Sequence, residues 1–165
     1  MSVAFRRDSD EEHLEPRFEL PVPPGPNLVT PRGLALIAQR IAQLGEDMAA
    51  ATDETALAAI KRDLRYWQFR RTTAEVVPQS LALKVEFGTE VRILLNGQPQ
   101  TFRIVGDDEA DRARGMISFK SPLCRAMLEA EVGDVLPFGG VVDAIEILGI
   151  AALDGATLVD REGAV

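Results

Sequence analysis

The chain has 165 residues, of which 46% are hydrophobic and 27% charged, and 18 basic against 26 acidic side chains leave a net charge of −8. This composition excludes collagen-like, disulfide-scaffold and wholly disordered classes, and the acidity argues against a molecule that binds phosphate backbones over its whole surface. One cysteine, Cys124, rules out an intrachain disulfide, and one histidine, His13, cannot complete a tetrahedral zinc site with it.

No apolar run approaches the ~20 residues that span a bilayer, and "MSVAFRRDSDEEHLEP" lacks the apolar stretch of a signal peptide, so a cytoplasmic location is expected. Residues 1–29 join an acidic cluster (Asp8, Asp10, Glu11, Glu12, Glu15) to the proline-rich "PVPPGPN". Such a segment cannot bury enough apolar surface to offset its ordering entropy, and a disordered tail is predicted, leaving from the base of the adjoining helical region. Phe18 and Leu20 are candidates for a short extended strand.

Thr30 is a predicted N-cap with Pro31 at the first helical position, where its missing N–H costs nothing. Leu34, Ile37, Ile41, Leu44 and Met48 then recur at spacings of 3, 4, 3 and 4, a heptad seam. Thr52 is the expected cap of a second helix, with Asp53 and Glu54 in its first turn, where the helix dipole favours acids. Its seam is Leu57, Ile60, Leu64 and Trp67, and it ends before Pro78. Two helices joined by a few residues must run antiparallel, so residues 30–77 are predicted to form a helical hairpin, a short coiled-coil arm. A larger bundle is the competing arrangement, but no further amphipathic helix of that length completes one.

From residue 83 the pattern changes to strands. "EVRILL" and "TFRIV" flank Asn96-Gly97, the residue pair a tight hairpin turn favours because both positions accept positive φ. "MISF" is a third strand, Ser121 caps a short helix that opens with Pro122, and "DVLPF" with "VVDAIEILGI" closes the domain as a second hairpin around Gly139-Gly140. The fold class is α+β: a helical hairpin followed, over residues 78–150, by a small antiparallel sheet domain with one helix. Residues 151–165 are expected to form a flexible tail.

Three features could carry chemistry. Asp107, Asp108, Glu109 and Asp111 crowd one turn after "RIV"; lacking the alternation and glycine of a calcium loop, they are open to three readings, a solvated turn or capping loop, a partner contact or a metal site. Glu46, Asp47, Asp53 and Glu54 gather at the hairpin apex, where they could be helix-terminal acids or carboxylates delivered into a partner's active site. "KRDLRYWQFRR" interleaves basic residues with Tyr66, Trp67 and Phe69, so Lys61, Arg62 and Arg65 are either a solvated face or a contact for RNA or a partner. With one histidine near the N-terminus, His-based catalysis is close to excluded, and no phosphate-binding loop or dinucleotide fingerprint is present.

The succession "RIVGDDEAD", "GMISFKSPLCRAML" and "EVGDVLPF" resembles the C-terminal domain of the GreA/GreB family of bacterial transcription elongation factors, over about residues 84–150. The resemblance implies an FKBP-like C-terminal domain that docks at the rim of the secondary channel of core RNA polymerase, through Ser121, Pro122 and Asp108. It implies an arm that enters the channel near the transcript 3′ end, with Asp47, Asp53 and Glu54 as candidate tip acids helping to hold the polymerase's catalytic Mg2+ while backtracked RNA is cleaved. The chain would then be a monomeric regulator with no cofactor of its own and no metal site, and not itself an enzyme. Two departures stand out. The family's tip acids form an Asp-x-x-Glu pair that is missing here, and Pro31 to Met48 is 18 residues, ~27 Å of helix, several turns short of the family's usual arm. Short-armed relatives such as the regulator of nucleoside diphosphate kinase imply the alternative, a polymerase-binding competitor of cleavage factors. A prolyl isomerase and a hairpin-mediated dimer are the remaining readings; the first is weakened by a C-terminal region whose only aromatics are Phe87, Phe102, Phe119 and Phe138.

Overall fold

The computed structural model describes residues 19–153 and 158–160. After a short strand β1 (Leu28–Val29), helix α1 (Pro31–Ala50) and helix α2 (Glu54–Thr72) form the hairpin, and β2 (Glu75–Val76) closes its base. The sheet domain comes next as β3 (Thr89–Leu95), β4 (Gln98–Val105), a 3₁₀ turn (Arg112–Arg114), β5 (Met116–Ser118), α3 (Pro122–Met127), β6 (Val135–Phe138), β7 (Val141–Ala152) and β8 (Leu158–Asp160).

Thr30 caps α1 as its position before Pro31 requires, its hydroxyl accepting from the Gly33 amide at 2.8 Å. Ile37 and Leu44 of the seam are buried, whereas Leu34 and Ile41 are half-buried and Met48 at the far end is 36% exposed. Two helices can cover only one face of each other, so the seam dries out toward the middle and opens at the tip. The expected cap Thr52 is corrected to Asp53, whose carboxylate accepts from the Ala56 amide at 2.8 Å. The helix starts at Glu54, so Ala56 is its third residue and Asp53, not Thr52, has the reach. The linking residues 51–53 are too few for anything but antiparallel helices. At 20 residues, α1 is about 30 Å long.

The sheet runs in the order β5-β4-β3-β7-β6, with β8 also paired to β7. Asn96 and Gly97, at φ of 50° and 79°, make the two-residue turn between β3 and β4. All pairings in this sheet are antiparallel except β4 with β5, which are parallel because the chain returns through the acidic turn and the 3₁₀ turn rather than a hairpin. Val91 and Ile93 alternate inward along β3 opposite Ile150 and Ile147 of β7, and Cys124 and Met127 of α3 belong to the same buried core. Burial pushes the Cys124 thiol up to about 12.

Both predicted tails are corrected where they are described. Residues 1–18, including Phe18 and the acidic cluster, lie outside the described residues. Downstream of them, Leu28 and Val29 pair in parallel with Glu75 and Val76, so the strand expected near Leu20 forms eight residues later. Buried Asn27 donates to the carbonyl of Arg70 at 2.7 Å and to the Thr73 hydroxyl at 3.1 Å, satisfying a carbonyl that the end of α2 leaves unpaired. At the other end Ala151 and Ala152 continue β7, and β8 adds to it along Gly149–Ala151; residues 154–157 and 161–165 lie outside the described residues.

Candidate functional site

The acidic turn after β4 is the joint between arm and sheet domain. It begins at Gly106, where an added Cβ would sit 2.4 Å from the carbonyl oxygen of Leu28, so only glycine lets the turn and β1 approach this closely. The next three carboxylates then diverge. Asp107 stays within its own domain, accepting from the Ser118 hydroxyl at 2.6 Å and the Lys120 ammonium at 2.7 Å. Asp108 crosses to α2, accepting from the Tyr66 hydroxyl at 2.6 Å and Arg70 Nε at 2.5 Å. Glu109 crosses to the start of α1, accepting from the Thr30 hydroxyl at 2.5 Å and Arg32 Nη1 at 2.9 Å. Asp111 ends the turn by capping the 3₁₀ turn through the Ala113 amide at 3.1 Å.

Thr30 is therefore bifunctional, accepting the helix amide of Gly33 while donating to Glu109. Arg70 is 1% exposed, and its Nη2 stands 3.8 Å from Asp107 without a hydrogen bond. Charges this deeply placed must be paired, and each is costly to orphan even where the pair adds little net stability. The Tyr66 hydroxyl is held protonated well above its ordinary range, first by burial, then by its hydrogen bond to Asp108 and that carboxylate's charge.

The solvated-turn reading fails for Asp107, Asp108 and Glu109, while Asp111 caps as a capping loop requires, and Asp108, expected as a polymerase contact, has a side chain 8% exposed that already holds two donors from α2. Among the described residues no group of three His, Cys, Asp or Glu side chains is placed to hold a metal ion. Arg70, Tyr66, Thr30 and Arg32 were missed as members of a site. Their one sequence signal was a basic residue beside an apolar seam at the base of a helix, which does not name its partner.

At the opposite end the tip acids stand clear of the sheet. Asp53 caps α2 and Asp47 accepts from Gln43 at 3.0 Å, while Glu46 and Glu54 are exposed. Asp47, Asp53 and Glu54 thus share the tip, but two of the three are engaged locally. Along α2, Lys61 is exposed, Arg62 bonds the neighbouring Asp63, and Arg65 Nη2 bonds Glu19 at 2.9 Å. Phe69, on the same face, is 50% exposed.

On the far side of the acidic turn, Ser121 caps α3 by accepting from the Cys124 amide at 3.3 Å, leaving Pro122 exposed. Both line a groove of about 630 Å³ with Leu95, Phe102, Leu123 and Phe138. Ser121 and Pro122 are thus brought together at one apolar surface, and Asp108 is not part of it.

Residues 81–150 match the family described as transcription elongation factor, GreA/GreB, C-terminal. The transcription elongation factor GreA of Nitratidesulfovibrio vulgaris (strain DP4) is 48% identical over 63 residues, 37% of this chain and 36% of that protein. The same-named factor of Yersinia pestis bv. Antiqua (strain Angola) is 46% identical over 72 residues, 41% of this chain and 45% of that protein. The matches therefore span less than half the length of these relatives. The crystal structure of GreA factor homolog 1 of Thermus thermophilus overlaps 78% of this chain and all of its own, at 17% identity and a TM-score of 0.37, too low to add to the assignment.

Proposed function

We propose, for a chain whose residues 81–150 form a domain of the GreA/GreB transcription elongation factor family, that it binds core RNA polymerase and regulates elongation through the secondary channel. The family match of this domain carries the reading. The sheet domain docks at the channel rim through the Ser121–Pro122 loop and its apolar groove, and the hairpin enters the channel. The chain brings no cofactor of its own; any metal involved is the polymerase's Mg2+. It acts as a regulator of the polymerase and not as an enzyme.

Of the two modes of regulation, competition with cleavage factors is favoured. A reach of about 30 Å, a tip where Asp53 and Asp47 are held by Ala56 and Gln43, and the want of an Asp-x-x-Glu pair all weigh against delivery of a magnesium-binding carboxylate pair. Stimulation of transcript cleavage is the second reading, supported by the exposure of Glu46 and Glu54 at the same tip.

Immobilised core polymerase should retain the purified protein and release it on Pro122→Asp, a charge set into the apolar groove. Wild-type protein that passes through unretained refutes the proposal. Backtracked complexes with end-labelled RNA separate the modes: competition predicts slower cleavage when a cleavage factor is also present, and stimulation predicts short 3′ fragments from this protein alone.

A further inference from the structure

A cavity of about 230 Å³ opens at the seam between arm and sheet domain, sharing only Met116 with the Ser121–Pro122 groove. Both bodies build its apolar walls: Val76, Val77 and Pro78 follow α2, while Phe87, Val105 and Leu153 belong to the sheet domain. Its volume exceeds the ~150 Å³ that admits a benzene ring. Val76 is half-exposed, so part of this wall lies open to water. The described N-terminal segment does not cover it. The Pro24 carbonyl accepts from Lys120 at 2.6 Å, Asn27 is held at the Arg70 carbonyl, and Glu19 bonds Arg65, five residues and ~7.5 Å nearer the tip. The chain traced back from α1 thus climbs α2, which corrects the expectation that it leaves the hairpin at its base, and none of residues 19–29 lines the cavity.

Arg32 of α1 and Arg103 of β4 line the same cavity, together with the buried Glu109. Each guanidinium is oriented by a carboxylate on one side: Arg32 Nη1 donates to Glu109 at 2.9 Å, and Arg103 Nε donates to Glu90 at 2.7 Å. Both arginine side chains are more than half exposed, and a guanidinium carries more N–H donors than one carboxylate takes up. The exposed Arg103–Glu90 pair contributes little by itself, so it yields readily to a second anion. Two guanidiniums against one carboxylate leave the lining with a surplus positive charge, in a chain whose net charge is −8. A monoanion balances that surplus, whereas a dianion overshoots it beside Glu109.

We propose that this cavity binds a small carboxylic acid with a ring-sized apolar body, its carboxylate held by Arg32 and Arg103 and its body against Val76, Phe87 and Leu153. Arg32 and Val76 belong to the arm, and Arg103, Phe87 and Leu153 to the sheet domain, so the bound acid pins one to the other. Small-molecule sites commonly occupy such seams between bodies. The site does not depend on the polymerase reading.

Amide NMR spectra of the isotope-labelled full chain test this, with phenylacetate as the probe. Saturable shifts are expected at Arg32, Val76, Gly88 and Leu153, with a dissociation constant on the order of 1 mM. The neutral analogue phenethyl alcohol should bind about tenfold more weakly, as should phenylacetate to Arg103→Met, because each loses a charged contact. Phenyl phosphate should bind no more tightly than phenylacetate. Val76→Trp, which fills the cavity and leaves its charges alone, should remove the shifts at Arg32 and Leu153. At about ten times its dissociation constant, phenylacetate should raise the urea midpoint reported by Trp67 fluorescence by about 0.7 M. The proposal is overturned by shifts that do not saturate, by shifts centred on Leu95, Phe102 and Phe138 instead, by tighter binding of phenyl phosphate, or by Arg103→Met binding as wild type does.

Discussion

Replacing Arg70 with methionine tests whether the acidic turn holds the arm. The guanidinium is 1% exposed and its Nε lies 2.5 Å from Asp108, whose side chain is itself 8% exposed. Methionine fills much of the volume but leaves Asp108 buried with Tyr66 as its one remaining donor. Orphaning one member of a buried pair costs about 3–5 kcal/mol, a large share of the roughly 5–15 kcal/mol that stabilises a domain. Trp67 is the only tryptophan and lies on α2, so its fluorescence in a urea titration reports the arm. With a denaturant slope of about 2 kcal/mol per molar, the midpoint should fall by roughly 1.5–2.5 M. Asp108→Asn in the same background should recover part of that loss, because it removes the unpaired charge. A shift below about 0.5 M, or one equal to that of the exposed control Arg103→Met, which breaks the pair with Glu90, would refute the claim that this contact roots the arm.

Tyr66 is the sole tyrosine, and its raised pKa means the folded state keeps the proton that an unfolded tyrosine loses near pH ~10. Tyrosinate absorbance at 295 nm should therefore stay low until well above pH ~10, and stability should fall as pH rises past that point. Asp108→Asn should return the titration toward the ordinary range; an unshifted titration in wild type contradicts the buried hydrogen bond. Gly106→Ala would press a methyl against the Leu28 carbonyl, and a cost of about 1–3 kcal/mol is expected, together with faster amide exchange at Leu28 and Val29. Cys124 should resist thiol reagents until the sheet domain unfolds, since it is buried and its thiol is shifted up to about 12.

Local chemistry was readable from the sequence and long-range chemistry was not. The seam that buries Ile37 and Leu44, the turn at Asn96-Gly97 and the cap at Ser121 all depend on residues within a few positions of each other, so spacing and turn preference disclosed them. The α+β fold with a helical hairpin emerged from those signals. The partners of Asp108 and Glu109 lie 38 to 79 residues away, and no local pattern distinguishes a carboxylate aimed at a distant arginine from one aimed at water. β1 escaped for a related reason: two residues among prolines have no period, and their ladder partner, Glu75–Val76, is equally short. The Thr52-for-Asp53 shift is smaller, a choice between two adjacent good capping residues that differ by one position in where the helix starts.

The proposal that the sheet domain docks on polymerase and the joint-rooted arm projects from it is tested most directly by a photocrosslinker placed at Met48, 36% exposed at the arm's tip. In complexes with core RNA polymerase it should label the lining of the secondary channel, and Pro122→Asp should abolish the label. Labelling of the polymerase exterior, or labelling that persists unchanged in Pro122→Asp, would contradict it.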